Sequence, residues 1–194
     1  MNLDLCIIEI ATMDEFKYEL KIPKERVAVL IGQKGQTKRL IEKETSTKLD
    51  IDSDEGDVTV SGEDALKLFV ARELITAIGR GFNPNIALKL LKVDYVFELI
   101  NLADIARNKN DMQRLKGRVI GQEGKSRRII EELTECEICV YGKTIGLIGP
   151  VDMIGLGRKS VEMLLQGAMH ASVFKFLESQ RREVKRMAFE GKKL

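Results

Sequence analysis

The chain repeats itself, and this duplication constrains its fold more than any other feature. An Ile-Gly-Gln-x-Gly motif occurs at residues 31–35 and again at residues 120–124. At an offset of 89, segments 30–45 and 119–134 also share basic residues after the second glycine, then an apolar residue, a glutamate and a threonine. A single Gly-x-x-Gly usually marks an ordinary turn, but two copies in one local context indicate a duplicated structural unit.

Each motif is expected to form a tight turn at the start of a helix. Glycine adopts positive φ and brings the backbone against a ligand without a side-chain clash. Apolar residues then recur at helical spacing, as Leu40 and Ile41 in the first copy and as Ile129 and Ile130 in the second. Unpaired amide hydrogens at a helix start attract phosphate oxygens, and nearby basic side chains add charge contacts. The motif therefore predicts contact with a sugar-phosphate backbone.

Both copies show the same order of predicted elements, in which one strand precedes the motif and two strands and a long amphipathic helix follow it. In the first copy the strands are predicted at 16–22, 48–52 and 58–61 and the long helix at 63–80. In the second copy the strands are predicted at 95–101, 137–141 and 144–148 and the long helix at 150–167. Each copy is therefore expected to fold as a small α+β module.

The length of 194 residues suits two such modules of about 90 residues each. We expect a first domain at 1–82, a connecting segment at 83–110 with a short helix and the first strand of the second module, and a second domain at 93–194. Asn83 can cap the connecting helix, and Pro84 suits its first position. Since no flexible Gly/Ser linker separates the modules, we expect them to pack rigidly against each other.

The Ile-Gly-x-x-Gly loop between two short helices, within this element order, resembles the KH domain in its eukaryotic-type (type I) topology. The resemblance implies two KH domains, each with a three-stranded antiparallel sheet covered by three helices, packed with a pseudo-twofold relation and followed by a C-terminal helix. KH modules clamp about four single-stranded nucleotides between the loop and an apolar groove. Carried onto this chain, the resemblance implies clamps at Gly32 to Gly35 and Gly121 to Gly124. It implies grooves lined by Ile31, Ile41 and Ile51, and by Ile120, Ile130 and Val140.

The second motif, together with residues 140–149 and 172–183, is similar to the partner-of-Nob family of tandem-KH ribosome-assembly factors. The similarity extends over nearly the whole chain, and the compact length is typical of the archaeal form. It implies binding of single-stranded RNA near the 3′ end of small-subunit ribosomal RNA. It also implies two protein partners, the Nob endonuclease that matures this end and the alpha subunit of translation initiation factor two.

The predicted RNA-binding residues are the two loops and the basic residues that follow them. They are Ile31, Gly32, Gln33, Lys34, Gly35, Lys38 and Arg39 in the first copy, and Ile120, Gly121, Gln122, Glu123, Gly124, Lys125, Arg127 and Arg128 in the second. Auxiliary contacts are predicted at Lys143, Arg181, Arg182 and Lys185. Glu123 replaces the lysine of the first loop with a carboxylate that opposes a phosphate, so the two modules are expected to bind RNA unequally.

The charge pattern limits where nucleic acid can bind. The net charge is only +2, so affinity for nucleic acid must come from local clusters of basic residues. Residues 175–194 hold seven basic and three acidic residues, which makes the C-terminal helix the basic end of the chain. Two alternatives remain open from the sequence: a general tandem-KH protein of RNA decay or translation, and a protein-binding adaptor, which the acidic Glu123 favours.

Enzymatic and metal-binding functions are not favoured. Gly124-Lys-Ser126 ends like a phosphate-binding NTPase loop, but Val119 occupies the position of that loop's first glycine. Cys136 and Cys139 form a lone C-x-x-C, and His170 is the only histidine. We therefore expect no catalysis, no cofactor and no metal. Without a membrane-spanning apolar run or a secretion signal, a cytoplasmic location is expected.

Overall fold

The computed structural model describes residues 8–11 and 15–190 and divides the chain into two compact units, Met1–Val93 and Asp94–Leu194. Each unit contains the three antiparallel strands and three helices that the sequence predicts, in the predicted order. The first unit has in addition an edge strand and a short connecting helix, and the second has a long C-terminal helix. No helix among these residues is long and apolar enough to cross a membrane.

The first unit is built on a sheet of order β1-β2-β4-β3, in which all neighbours are antiparallel. Its strands are β1 (Ile8–Ala11), β2 (Glu15–Lys21), β3 (Lys48–Ile51) and β4 (Asp57–Gly62). Its helices are α1 (Lys24–Ile31), α2 (Gln36–Thr45), α3 (Ala65–Gly79) and α4 (Pro84–Ala87). Strand β1, which the sequence analysis did not predict, extends the expected three-stranded sheet and pairs with β2.

Side chains of the first sheet alternate between the helix-covered face and solvent, as a period of two requires. Leu49, Val58 and Val60 are buried on the covered face, where α3 packs across β2 and β4. Helix α3 begins after Asp64, whose carboxylate accepts hydrogen bonds from the amides of Leu66 and Lys67 at 2.9 and 3.3 Å. This cap fixes where the long helix starts.

The short connecting helix α4 confirms the capping predicted from the sequence. The side chain of Asn83 accepts a hydrogen bond from the amide of Asn85 at 3.0 Å, and Pro84 occupies the first helical position. Helix α4 packs against α3, so it belongs structurally to the first unit.

The second unit has a sheet of order β5-β7-β6, also antiparallel throughout. Its strands are β5 (Tyr95–Asn101), β6 (Glu137–Tyr141) and β7 (Thr144–Pro150). Its helices are α5 (Lys109–Ile120), α6 (Lys125–Thr134), α7 (Val151–Leu165) and α8 (His170–Glu190). Helix α8 buries Val173 and Leu177 and packs along α6 and α7.

Cys136 and His170 both have packing contacts in this unit. A Cβ atom at Gly149 would lie 2.4 Å from the Cys136 sulfur, so the thiol fills the space that this glycine leaves. Burial raises the pKa of Cys136 to about 11. The ring of His170 contacts the carbonyl oxygen of Arg118 at 2.8 Å, which ties the start of α8 to the last turns of α5.

Candidate nucleic-acid interface

The two glycine motifs form the same backbone turn. In the first loop, φ is 71° at Gly32, 51° at Lys34 and 76° at Gly35. In the second loop, φ is 72° at Gly121, 52° at Glu123 and 75° at Gly124. The residue before the second glycine is a cation in the first loop, Lys34, and an anion in the second, Glu123, yet the backbone conformation is the same. The turn is therefore set by the glycines and the flanking helices.

The first glycine of each motif is required by packing. A Cβ atom at Gly32 would lie 2.3 Å from the hydroxyl oxygen of Thr37 and 2.9 Å from its backbone nitrogen. A Cβ atom at Gly121 would lie 2.6 Å from the Cβ of Ser126 and 2.8 Å from its backbone nitrogen. Only glycine lets the preceding helix end directly against the first turn of the next helix.

The second glycine of each motif is required by conformation and has open space around it. A Cβ atom at Gly35 would approach nothing closer than Arg39 at 3.6 Å, and one at Gly124 nothing closer than Arg128 at 3.8 Å, within the described residues. Both glycines are left-handed N-cap residues of the following helix. The first amide of each helix, that of Gln36 or Lys125, donates to the loop carbonyl oxygen of Gln33 or Gln122. The glycine offers no side-chain cap to the amides that follow, so these can bind an anion.

The residues between the glycines are exposed in both loops. Gln33 and Lys34 in the first loop, and Gln122 and Glu123 in the second, are all exposed. Residues 33–36 carry a net charge of +1 from Lys34, whereas residues 122–125 are neutral because Glu123 and Lys125 cancel. The first loop therefore attracts phosphate more strongly. In the second copy the positive charge lies on Lys125, the first residue of α6.

The apolar groove differs from what the sequence predicted. Ile41 and Ile130 are fully buried, so the prediction that they line a groove is wrong. Both lie on the inner face of the helix after the loop, where they pack into the core of their unit. Ile120 is 37% exposed next to the second loop. The other three predicted groove residues, Ile31, Ile51 and Val140, are half-buried.

Lys38 and Arg127, two of the basic residues after the loops, pair with glutamates one turn further along their helices. The Lys38 ammonium lies 4.0 Å from the Glu42 carboxylate, and the Arg127 Nε lies 3.6 Å from the Glu131 carboxylate. These are i,i+4 pairs on partly exposed helix faces, where ion pairs are weak and leave the cation available to another anion. Lys125 is exposed.

The next basic residues, Arg39 and Arg128, turn back toward their own loops. Arg39 donates hydrogen bonds to the carbonyl oxygens of Lys34 and Gly35. Arg128 donates one to the carbonyl oxygen of Glu123. Sequence spacing had suggested that both arginines contact phosphate, and it gave no indication of these main-chain contacts.

Two glutamates support the helices that carry the loops, and the sequence analysis did not assign them a role. Glu42 accepts a hydrogen bond from the amide of Leu49, and Glu131 accepts one from the amide of Ile138, both at 2.9 Å. Each bond joins the helix after the loop to the edge strand of the sheet. Burial raises the pKa of Glu131, while the Ile138 amide and the Arg127 charge act in the opposite direction. The matching positions of these glutamates in the repeat were the available signal.

An acidic turn lies at the far end of α1 from the first loop. Lys24, at the start of α1, pairs with Glu55 of this turn at 3.6 Å, and Lys21 pairs with Asp57 at 3.0 Å. Helix α1 has eight residues and a length of about 12 Å, which exceeds the Debye length at physiological salt. The carboxylates of the turn therefore leave the positive charge of the first loop largely intact.

Three of the predicted auxiliary residues, Lys143, Arg181 and Arg182, belong to other parts of the second unit than the second loop. The carbonyl oxygen of Lys143 accepts a hydrogen bond from the amide of Leu102, which precedes α5. The second loop follows the other end of α5, a helix about 18 Å long. Arg181 lies 3.9 Å from Glu135 at the opposite end of α6. Arg182, on the next position of α8, donates a hydrogen bond to the Glu178 carbonyl. The side chain of Lys185 lies outside the described residues.

A metal centre finds no support in the same geometry. The part of the chain that the structure describes contains no group of three or more His, Cys, Asp or Glu side chains placed to hold a metal ion.

Two protein-family models match the chain. Residues 17–77 match the KH domain, and residues 96–182 match the eukaryotic type KH-domain (KH-domain type I) in its PNO1 second-domain form. The two matched segments contain the two glycine loops.

Known proteins match the chain along most of its length. A KH domain-containing protein from Methanocaldococcus jannaschii is 53% identical over 175 residues, which cover 88% of this chain and 77% of that protein. The pre-rRNA-processing protein PNO1 of Chaetomium thermophilum is 28% identical over 119 residues, which cover 60% of this chain and 45% of that protein. This chain thus spans less than half the length of that fungal relative.

A solved structure matches as well. The crystal structure of an a/eIF2alpha–aDim2p–rRNA complex from Pyrococcus horikoshii contains a chain that superimposes on this one with a TM-score of 0.82 at 43% identity. The match covers 87% of this chain and 96% of that chain.

Proposed function

Because this chain belongs to the family of tandem KH-domain proteins that includes archaeal Dim2 and eukaryotic PNO1, we propose that it holds single-stranded small-subunit ribosomal RNA near its 3′ end and presents it to a partner endonuclease. KH domains bind nucleic acid and do not cut it, so the protein is a binding factor and not an enzyme. Its action is to position the RNA in the cytoplasm while another protein performs the cleavage.

The observation that carries the proposal is the recurrence of one exposed, left-handed turn in both units. The turns at Gly32 to Gly35 and at Gly121 to Gly124 each open a helix whose first amides face no capping side chain. Such amides bind phosphate oxygens and give positioning without sequence readout. The bases are then contacted by apolar residues beside the loops, such as Ile120, which is 37% exposed.

The RNA ligand and the protein partners are proposed from what the relatives are known to bind or process. PNO1 of Chaetomium thermophilum is a pre-rRNA-processing protein, and aDim2p of Pyrococcus horikoshii occurs in a complex with rRNA and a/eIF2alpha. We therefore propose the ribosomal RNA 3′ region as ligand, a Nob-type endonuclease as the enzyme that acts on it, and the alpha subunit of translation initiation factor two as a second protein partner.

A binding experiment tests the RNA part of this proposal. The full chain is titrated into a fluorescent oligoribonucleotide of about 12 nucleotides with the sequence of the small-subunit RNA 3′ terminus, and into a scrambled control. The first-loop variant carries Gln33→Asp and Lys34→Asp, and the second-loop variant carries Gln122→Asp and Lys125→Asp. Each variant lowers the charge by three at exposed positions. Each is expected to weaken binding, and the larger loss identifies the dominant module.

A matched control separates a loop effect from a change in net charge. Lys109→Asp with Asn110→Asp also lowers the charge by three, at exposed positions in the first turn of α5. Acidic residues are favourable at a helix start, so this control should fold normally. It is expected to bind RNA nearly as well as the unmodified chain. Equal losses in all three variants would show that the loops are not the binding site.

The endonuclease part needs a separate assay. A precursor RNA with an unprocessed 3′ end is incubated with a Nob-type endonuclease, with and without the chain, and the cleaved ends are mapped. We expect the chain to raise the fraction of cuts at the mature end, and the two loop variants to abolish this effect. Unchanged cleavage alongside intact RNA binding would favour a general RNA-binding role. Binding to the initiation-factor subunit without any RNA binding would favour a protein adaptor.

A further inference from the structure

Arg39 and Arg128 occupy the same position in the two copies, four residues after the second glycine. The Arg39 side chain donates from Nε to the Gly35 carbonyl oxygen at 3.2 Å and from Nη2 to the Lys34 carbonyl oxygen. Arg128 donates from Nη2 to the Glu123 carbonyl oxygen at 2.5 Å. Side chains in a helix lean toward its N-terminus, so a residue one turn into the helix reaches the loop before it.

Besides the arginine, each loop is held in shape by local main-chain hydrogen bonds. Lys34 and Glu123 adopt left-handed backbone conformations that non-glycine residues rarely occupy. Two main-chain hydrogen bonds close each loop. One is long, from Gly35 to the Gly32 oxygen at 3.2 Å and from Gly124 to the Gly121 oxygen at 3.3 Å. The other runs from the Gln36 amide to the Gln33 oxygen and from the Lys125 amide to the Gln122 oxygen. A charge-assisted hydrogen bond from a guanidinium to a carbonyl of the same turn is stronger than a neutral main-chain bond of this kind.

The arginine contact does not depend on the side chain at the loop tip. In the first loop the carbonyl belongs to a lysine, and in the second to a glutamate, yet the arginine bonds the main-chain oxygen in both. A guanidinium recruited by charge would be expected on the Glu123 carboxylate and away from the Lys34 ammonium. The shared target indicates that the backbone of the turn is what the arginine recognises.

We propose that Arg39 and Arg128 are positioning residues, which hold the glycine loops in the phosphate-binding conformation through their carbonyl groups. This inference rests on the proposed RNA binding. Each bonded carbonyl belongs to the same peptide unit as the amide that follows it. In each loop that amide closes the turn by donating to an earlier loop carbonyl oxygen. The guanidinium therefore fixes the orientation of this peptide unit and strengthens the hydrogen bond that its amide donates. Other residues, chiefly Lys34 at the tip of the first loop, make the direct charge contacts with phosphate.

Arginine suits this task better than lysine. The planar guanidinium presents donors in a fixed fork, so Arg39 reaches two adjacent carbonyls at once, whereas a lysine ammonium is a point charge on a flexible stem. Arg128 bonds one loop carbonyl, so its substitution should have the smaller effect. The structure thus predicts a graded result in which Arg39 matters more to its loop than Arg128 does to the other.

The test uses Arg39→Lys, which keeps the charge and removes the fork. In the free full-length protein, backbone amide relaxation by NMR should show faster motion at residues 33–36, with an unchanged melting temperature because Arg39 is exposed. Affinity for the rRNA 3′-end oligoribonucleotide should fall about three- to tenfold. The slope of log affinity against log salt should not change. Arg128→Lys should give a smaller change of the same kind at residues 122–125.

Lys34→Gln is the matched control for a lost phosphate contact. It should lower the salt slope by about 0.7, the value for one phosphate contact on a single strand, and leave the loop amides as rigid as before. Loop amides and affinity that Arg39→Lys leaves unchanged would overturn the positioning role. If the unmodified chain binds no RNA, the proposed function fails by itself, while the NMR measurement still decides whether the arginine holds the loop.

Discussion

The two glycines of the first loop should respond very differently to the addition of one methyl group. Gly32→Ala places a Cβ atom 2.9 Å from the backbone nitrogen of Thr37, which cannot move without unwinding the start of α2. The backbone there, with φ 71° and ψ 176°, is open almost only to glycine. In Gly35→Ala the added Cβ atom would lie 3.6 Å from the flexible end of the Arg39 side chain. The alanine would have to adopt only the left-handed conformation of Gly35, with φ 76° and ψ 19°.

These geometries set the size of the effects. For Gly32→Ala, backbone strain costs about 1–3 kcal/mol and overpacking about 1–3 kcal/mol. Alanine recovers about 0.4–1 kcal/mol by restricting the unfolded chain. The net loss is therefore about 1–6 kcal/mol, with a midpoint of about 3 kcal/mol. For Gly35→Ala, a left-handed alanine costs about 1–2 kcal/mol against the same gain, so the net loss is about 1 kcal/mol.

Calorimetric unfolding of the full chain measures the difference, with amide exchange to identify the unit that is affected. A change of 1 kcal/mol shifts the melting temperature of a domain of this size by about 4–8 °C. Gly32→Ala should thus lower the melting temperature of the first unit by about 10 °C or more, and Gly35→Ala by about 5 °C. Gly35→Ala should nevertheless weaken RNA binding, because its methyl group lies on the open side of the loop. Equal shifts for the two variants would refute the packing role of the first glycine.

The remaining predictions concern charge, helix ends and burial. Glu123→Lys changes the loop charge by two. For a phosphate bound about 6 Å away, this change should tighten RNA binding about tenfold at low salt and about threefold at physiological salt. An unchanged affinity in titrations would show that the second loop does not meet phosphate. Ser46→Gly and Glu135→Gly relieve left-handed residues at the ends of α2 and α6, so each should raise the melting temperature, and a decrease would contradict the strain inferred from their φ values of 52° and 58°. Gly155→Ala lies at an exposed interior position of α7, where an added Cβ meets nothing within 4 Å, and should stabilise the second unit by about 1 kcal/mol in urea unfolding. The raised pKa of Cys136, about 11 against an ordinary 9.0, means that the folded state keeps a proton that the unfolded state loses, so stability should fall between about pH 9 and pH 11. Melting temperatures across this range, compared with those of Cys136→Ala, test it, and parallel curves would contradict it.

Local features of the fold could be predicted from the sequence because they depend on spacing along the chain. The strands predicted at 95–101 and 137–141 match β5 and β6. The capping of α4 by Asn83 and the exposed glycine turns follow from residue types whose conformational preferences act within a few residues. Because the module is duplicated, the sequence shows the strands and the glycine turns twice, once in each copy.

Strand β1 and the composition of the apolar groove could not be predicted in this way. Strand β1 is only four residues long, and what defines it is pairing with β2 rather than any pattern of its own. Ile41 and Ile130 fit the apolar spacing of their helices whether they face a groove or the core, and only packing of α2 and α6 onto the sheet decides that they are buried.

The sequence by itself determined that this protein has two modules with a glycine turn ahead of a helix in each, since glycine spacing and helical periodicity are local properties. Only the tertiary structure decided which way the side chains around those turns face. Lys38 turns along its helix to a glutamate, while Arg39, one residue later, turns back to the loop carbonyls. A helix turns about 100° per residue, so neighbouring cations of similar charge meet different surroundings, and those surroundings exist only once the chain is folded.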